Sequence, residues 1–128
     1  MGRIAVPIII ANLNCPEKNI RCEALVDTGA SHLTLPAAWR ERLGDLQELG
    51  VVDLETATQA TVQGLVCAPV RIQIEGFRPI ATEVLFIEME PEDGQYEALI
   101  GYIVLEQSLA AVDMVGHRLV HVKRLDLK

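Results

Sequence analysis

The residues of this chain whose types and spacing could do chemistry lie in one stretch, Ala24 to Pro36, which reads A-L-V-D-T-G-A-S-H-L-T-L-P. Its acid is Asp27, and the small residues Thr28, Gly29, Ala30 and Ser31 follow at once. A lone carboxylate at neutral pH is a weak base and no nucleophile toward an amide. Two carboxylates held together cannot both ionise easily, so they share a proton and serve as base and acid in one site. Such a pair activates water directly, with no metal, no cofactor and no covalent intermediate.

The elements that must position Asp27 can be read around it. The alternating apolar residues Ile20, Cys22, Ala24 and Val26 predict a strand that carries the acid to its tip. Gly29 suits a tight turn that a side chain would block, and Leu33 and Leu35 begin a second short strand. Further along, Ala98-Leu99-Ile100-Gly101 predicts a buried strand that runs into a short helix.

The stretch resembles the D-T-G active-site loop of the aspartic proteases, in particular the retropepsin-like (retroviral-type) group and its bacterial single-domain members. The carrying residues are Asp27-Thr28-Gly29 with their apolar lead-in, L-T-L-P beyond them, and Leu99-Ile100-Gly101 at the matching place in the order. The resemblance spans roughly residues 3–122, and only the D-T-G-A-S and L-I-G pieces are specific. It implies an all-β, closed-barrel fold with one or two short helices. It also implies hydrolysis of peptide bonds, with Asp27 as the catalytic residue. Thr28, Gly29, Ala30 and Ser31 would form the active-site loop, with Leu99, Ile100 and Gly101 packed beside it. Ala30 has no hydroxyl to donate to the acid, and Ser31 should point to the opposite side.

The chemistry needs two carboxylates and the chain holds one D-T-G. Asp93 precedes a Gly without an apolar lead-in, and Asp113 lacks small residues after it. A symmetric homodimer would supply the second Asp27 at its two-fold axis. The terminal strands, Arg3 to Asn12 and Arg118 to Val122, are its candidate interface. The long hairpin from Glu48 to Ile74 has its tip within Thr56 to Thr61 and would supply the flap, through Thr56, Ala57, Thr58, Gln59 and Ala60. Flaps of this family usually carry Gly at the tip, and here the nearest is Gly64. The alternatives are a catalytically silent dimer that holds peptides, and an unrelated β-barrel in which Asp27 lies far from any two-fold axis.

The rest of the chain sets bounds. Its 128 residues make one domain, and the apolar half of its composition is rich in β-branched residues, which favours strands. A net charge of −7 argues against nucleic acid as a partner and leaves a peptide or protein substrate open. Cys15, Cys22 and Cys67 form no C-x-x-C pair, and His117 and His121 flank R-L-V in a strand-like context. No metal site is expected from them, and the thiols are expected to be reduced, in the cytoplasm. The N-terminal M-G-R-I-A-V-P-I-I-I lacks the pattern of a signal peptide, and no run reaches membrane-spanning length.

Within this frame Asn14 to Asn19, with Pro16, reads as a turn. Pro36 to Leu43 reads as a short helix bounded by Gly44, with Trp39 packed on the core. Val66, Ala68, Val70, Ile72 and Ile74 are expected to face inward from one strand. The tail should close as a hairpin turning at Val115-Gly116.

Overall fold

A computed structural model describes residues 3–55, 59–91 and 93–123. Nine strands dominate it: β1 (Ala5–Asn12), β2 (Cys15–Val26), β3 (Leu33–Pro36), β4 (Gln47–Glu55), β5 (Thr61–Ile74), β6 (Ile80–Ile87), β7 (Ala98–Ile100), β8 (Ala110–Asp113) and β9 (Arg118–His121). A 3-10 helix (Ala37–Leu43) follows β3, and one α-helix, α1 (Tyr102–Gln107), follows β7. No helix among the described residues is long and apolar enough to cross a membrane.

Seven strands form one sheet in the order β1-β2-β7-β3-β6-β5-β4, and β1 also pairs with β5. The β2–β7 and β3–β6 pairs are parallel, and the others are antiparallel. β8 and β9 form a separate hairpin, with its turn at Met114 to His117. Apolar residues at alternate positions turn Ile8, Ile10, Ile20, Ile72, Ile74 and Val84 into a common core, where Leu33, Leu35 and Leu43 are fully enclosed. Each such side chain contributes about 1.5–3 kcal/mol by leaving water.

Two sequence expectations change in detail. β2 begins at Cys15, so the turn is only Leu13-Asn14 and not Asn14 to Asn19. The cause is Asn12, whose carboxamide is buried. Its Oδ1 accepts the Asn14 N–H at 2.9 Å, and its Nδ2 donates to the carbonyls of Leu43 and Asp45 at 2.8 and 2.7 Å. Pro16 is accommodated because the ladder slips there. Ala11 faces Asn19 while Asn12 faces Cys15, so Pro16 needs no ladder hydrogen bond. Along β5, Val66, Val70, Ile72 and Ile74 are buried as expected, but Ala68 is half-buried and Cys67 fully enclosed. A register shift between Cys67 and Val70 interrupts the alternation at that point.

In β1, Ile8 to Asn12 pairs with β2 on one side and with β5 on the other, so both backbone edges of that segment are used within the chain. Trp39 packs against the core as expected and is half-buried at its margin. Tyr96 meets it edge-on at 6.4 Å, and the Arg42 guanidinium lies 5.3 Å from its ring centre. His117 and His121 are exposed, yet each pins the terminal hairpin to the body. His117 Nε2 lies 2.8 Å from the Arg3 carbonyl, and His121 stacks on Phe77 with its Nε2 2.8 Å from the Gly76 carbonyl.

Asn12 gives the first prediction. Asn12→Ala strips partners from two carbonyls and one N–H and should lower stability by about 2–3 kcal/mol. Urea unfolding checks it, and a loss below about 0.5 kcal/mol would show that water replaces the carboxamide without penalty.

Candidate active site

Asp27 stands just beyond the end of β2, whose last residue Val26 faces Ile100 of the parallel strand β7. Its N–H donates to the Ile100 carbonyl at 2.9 Å, which continues the ladder by one residue. Its carbonyl then accepts the Ala30 N–H at 3.1 Å and closes a four-residue turn. Inside that turn the Gly29 N–H donates to the Asp27 carboxylate, Oδ1, at 3.0 Å. The acid is thus held by its own loop and remains half-buried, while Thr28 and Gly29 are exposed. A β-carbon on Gly29 would sit 3.3 Å from that same oxygen.

The far side of the loop is latched by β7 and α1. The carbonyls of Ala30, Ser31 and His32 accept the N–H groups of Tyr102 at 2.9 Å, Ile103 at 3.1 Å and Gly101 at 3.1 Å. The first N–H groups of a helix have no partner within it, so a loop laid across the start of α1 satisfies both. The approach is close enough to require a glycine. A β-carbon at Gly101 would lie 2.4 Å from the Ser31 carbonyl carbon, 2.5 Å from its oxygen and 2.7 Å from the Ala30 oxygen. Leu99, Ile100 and Gly101 are therefore brought together with the D-T-G-A-S loop.

Two neighbours of the loop, His32 and Glu83, escaped the sequence reading. Ser31 Oγ lies 2.8 Å from His32 Nδ1, and His32 Nε2 lies 3.1 Å from Glu83 Oε1 on β6. Only the parallel register of β3 on β6, Leu33 against Val84, sets His32 beside Glu83. No local pattern announces a partner so far along the chain. The S-H directly after D-T-G-A was the available signal.

β4 and β5 form the long hairpin, paired out to Glu55 and Thr61. Of the expected flap residues, Gln59 lies in its tip with φ of 64° and Ala60 leads into β5. Thr56, Ala57 and Thr58 lie outside the described residues. Gly64 serves packing and not the tip, since a β-carbon there would come within 2.6 Å of Leu85 Cδ1. Nearly every residue of β4 is exposed, so this strand stands off the core. Beside Leu25 is an open recess of about 520 Å³ lined also by Ile87 and Leu99, with Arg3, Glu90 and Glu97 in its wall. Leu25 shares the strand face of Asp27, two residues away, and pairs with Leu99.

Among the described residues, the two other Asp residues weighed from the sequence, Asp93 and Asp113, take other settings. Asp93 sits in a turn with φ of 52°. Asp113 accepts the Gly116 N–H at 2.9 Å and faces Arg118, and these groups hold its carboxyl below the usual range. Its work is to shape the β8–β9 turn. Among the described residues, no three His, Cys, Asp or Glu side chains gather closely enough to hold a metal ion.

The fold is that of the retroviral proteases. The chain superposes on EIAV protease complexed with the inhibitor HBY-793 with a TM-score of 0.61 at 20% identity, covering 83% of this chain and 88% of that one. On the retroviral protease-like domain of Ddi1 from Leishmania major the TM-score is 0.60 at 17% identity, covering 97% and 91%. No curated protein sequence is a significant match. Residues 11–104, which include both the D-T-G loop and L-I-G, match the aspartyl protease family, and the chain belongs to that family in its retropepsin-like form.

Proposed function

We propose that this protein is an aspartic endopeptidase that acts as a symmetric homodimer, each subunit contributing one Asp27. The observation that carries the reading is the half-buried Asp27 carboxylate, presented at a strand end and clamped by Gly29 in a chain of this family. One such acid is half of a water-activating pair, and a two-fold axis beside Asp27 completes it. One carboxylate takes a proton from the water as its oxygen adds to the scissile carbonyl carbon. The other carries the shared proton and delivers it toward the leaving nitrogen as the C–N bond breaks. Thr28, exposed in the single chain, is placed to bond its twin across the axis, and Ala30 to flank the substrate. A peptide side chain fits the recess beside Leu25 and Leu99. The β4–β5 hairpin is the flap. The double pairing of β1 supports reading the sheet as a closed barrel. The free thiols of Cys15, Cys22 and Cys67 support a reducing, cytoplasmic setting.

The test joins assembly to activity. Analytical ultracentrifugation of the purified chain, together with cleavage of a peptide library, should show a dimer that hydrolyses peptides and is inhibited by a statine-type compound. A strictly monomeric species that still cleaves would refute the shared site. A dimer that binds peptides and leaves them intact would establish the catalytically silent, peptide-holding alternative.

A further inference from the structure

The hydrogen-bonded chain Ser31–His32–Glu83 has no part in the chemistry above, yet it starts inside the acid-bearing loop. The backbone latch reaches that loop from β7 and α1 only. The side-chain chain reaches it from a third element, β6, through Ser31 Oγ to His32 Nδ1 at 2.8 Å and His32 Nε2 to Glu83 Oε1 at 3.1 Å. Donor counting gives its sense for a neutral ring. The Ser31 hydroxyl donates to Nδ1, and Nε2–H donates to the Glu83 carboxylate, which can only accept. Ser31 is thereby turned to His32, and the hydrogen bond that the structure gives the Asp27 carboxylate comes from Gly29. The His32 backbone takes part as well, since its carbonyl accepts both the Gly101 N–H at 3.1 Å and the Thr34 hydroxyl at 3.3 Å.

We infer that His32 and Glu83 are positioning residues that brace the D-T-G-A-S loop against β6, so that the rate of hydrolysis depends on a carboxylate that touches neither substrate nor Asp27. The inference rests on the endopeptidase reading for its kinetic consequence, but not for the brace itself. The pair is suited to adjusting geometry without holding up the core. Its side chains are 27% and 50% exposed, and they line an open recess of about 470 Å³ with Ala68, Pro69 and Ile103. Removing either one opens no void among the core residues. What changes is the restraint on the loop, and misplacement of a catalytic group by about 1 Å can cost on the order of a hundredfold in rate.

The experiment compares Glu83→Ala, Glu83→Gln, Ser31→Ala and the double variant Ser31→Ala/Glu83→Ala with the native dimer. Glu83→Ala should lower kcat by about tenfold with KM unchanged, and Glu83→Gln should restore most of it because its carbonyl still accepts from Nε2–H. Both single changes act through the same imidazole, so the double variant should be no slower than the worse single one. Amide hydrogen exchange gives a readout independent of activity. In Glu83→Ala, protection should fall at Gly101, Tyr102 and Ile103 and stay at native level in β1 and β5. A native enzyme that hydrolyses nothing would defeat the endopeptidase reading while the exchange measurement still decides the brace. A Glu83→Ala variant with native kcat and native exchange overturns the inference. So does a change confined to KM, strictly additive losses, or a Glu83→Gln variant as slow as Glu83→Ala.

Discussion

Asp27→Asn is expected to give a folded dimer whose kcat is lower by about 10³- to 10⁴-fold. The substitution is nearly isosteric. An Asn side-chain oxygen can still accept the Gly29 N–H that Asp27 Oδ1 accepts at 3.0 Å, so the turn survives. What disappears is chemistry, because a neutral amide cannot take a proton from water. The charge-assisted hydrogen bond weakens, but two like charges no longer meet at the axis, so the dimer should hold at least as well. Mixing gives a sharper measurement than the variant alone. If each site needs both acids, adding an equal amount of Asp27→Asn chain and allowing subunits to exchange should leave about half the native activity, since mixed dimers are dead. A site complete within one chain would leave the activity untouched by mixing. Native activity in the pure variant would overturn the assignment of Asp27 altogether.

The second large effect is expected at Gly101. Its backbone, with φ of −86°, is one that any residue can adopt, so the cost of Gly101→Ala is steric. The new methyl would lie 2.4 Å from the carbonyl carbon of Ser31 and 2.5 Å from its oxygen, and neither atom can turn aside as a side-chain end could. Either β7 or the loop must retreat, loosening the bonds from Gly101 to His32 and from Tyr102 to Ala30. We expect a loss of about 2–4 kcal/mol in stability and, in the protein that remains folded, at least about a hundredfold loss in kcat. At Gly29 the corresponding distance is 3.3 Å to Asp27 Oδ1, so Gly29→Ala should be the milder change. Chemical denaturation of both variants tests the ordering. A Gly101→Ala protein as stable as the native one would mean that the loop has slack the close approach denies.

The parts of this fold that were legible in the sequence are those written locally. The strand into Asp27, the turn after it, the hairpin paired to Glu55 and Thr61, and the strand–Gly–helix at Ala98 to Gln107 each follow from alternation and a breaker within a few residues. The parts that were not legible depend on register. Pro16 reads as a turn residue because its missing N–H is plain in the sequence, whereas the slipped ladder that tolerates it is not. Asn12 looks like the end of a strand until the Leu43 and Asp45 carbonyls arrive over it. Glu83 reads as one polar position among several until β3 lies parallel to β6. The use of both edges of β1 could not be counted before β5 was placed beside it. The acid is thus marked by residue type and local order, and its restraints are marked only by tertiary pairing.

The latch that joins residues 27–32 to residues 100–103 also bears on when this molecule becomes itself. It closes about seventy residues of intervening chain, an entropic debt that more local pairings such as the β1–β2 hairpin do not carry. During synthesis Asp27 emerges long before β7 and α1 exist to receive its loop. A chain that stops between β6 and β7 holds the D-T-G triplet with no bond from Ile100, Gly101, Tyr102 or Ile103 to shape it. Competence is therefore acquired late and all at once, and an unfinished chain carries the acid without the means to aim it.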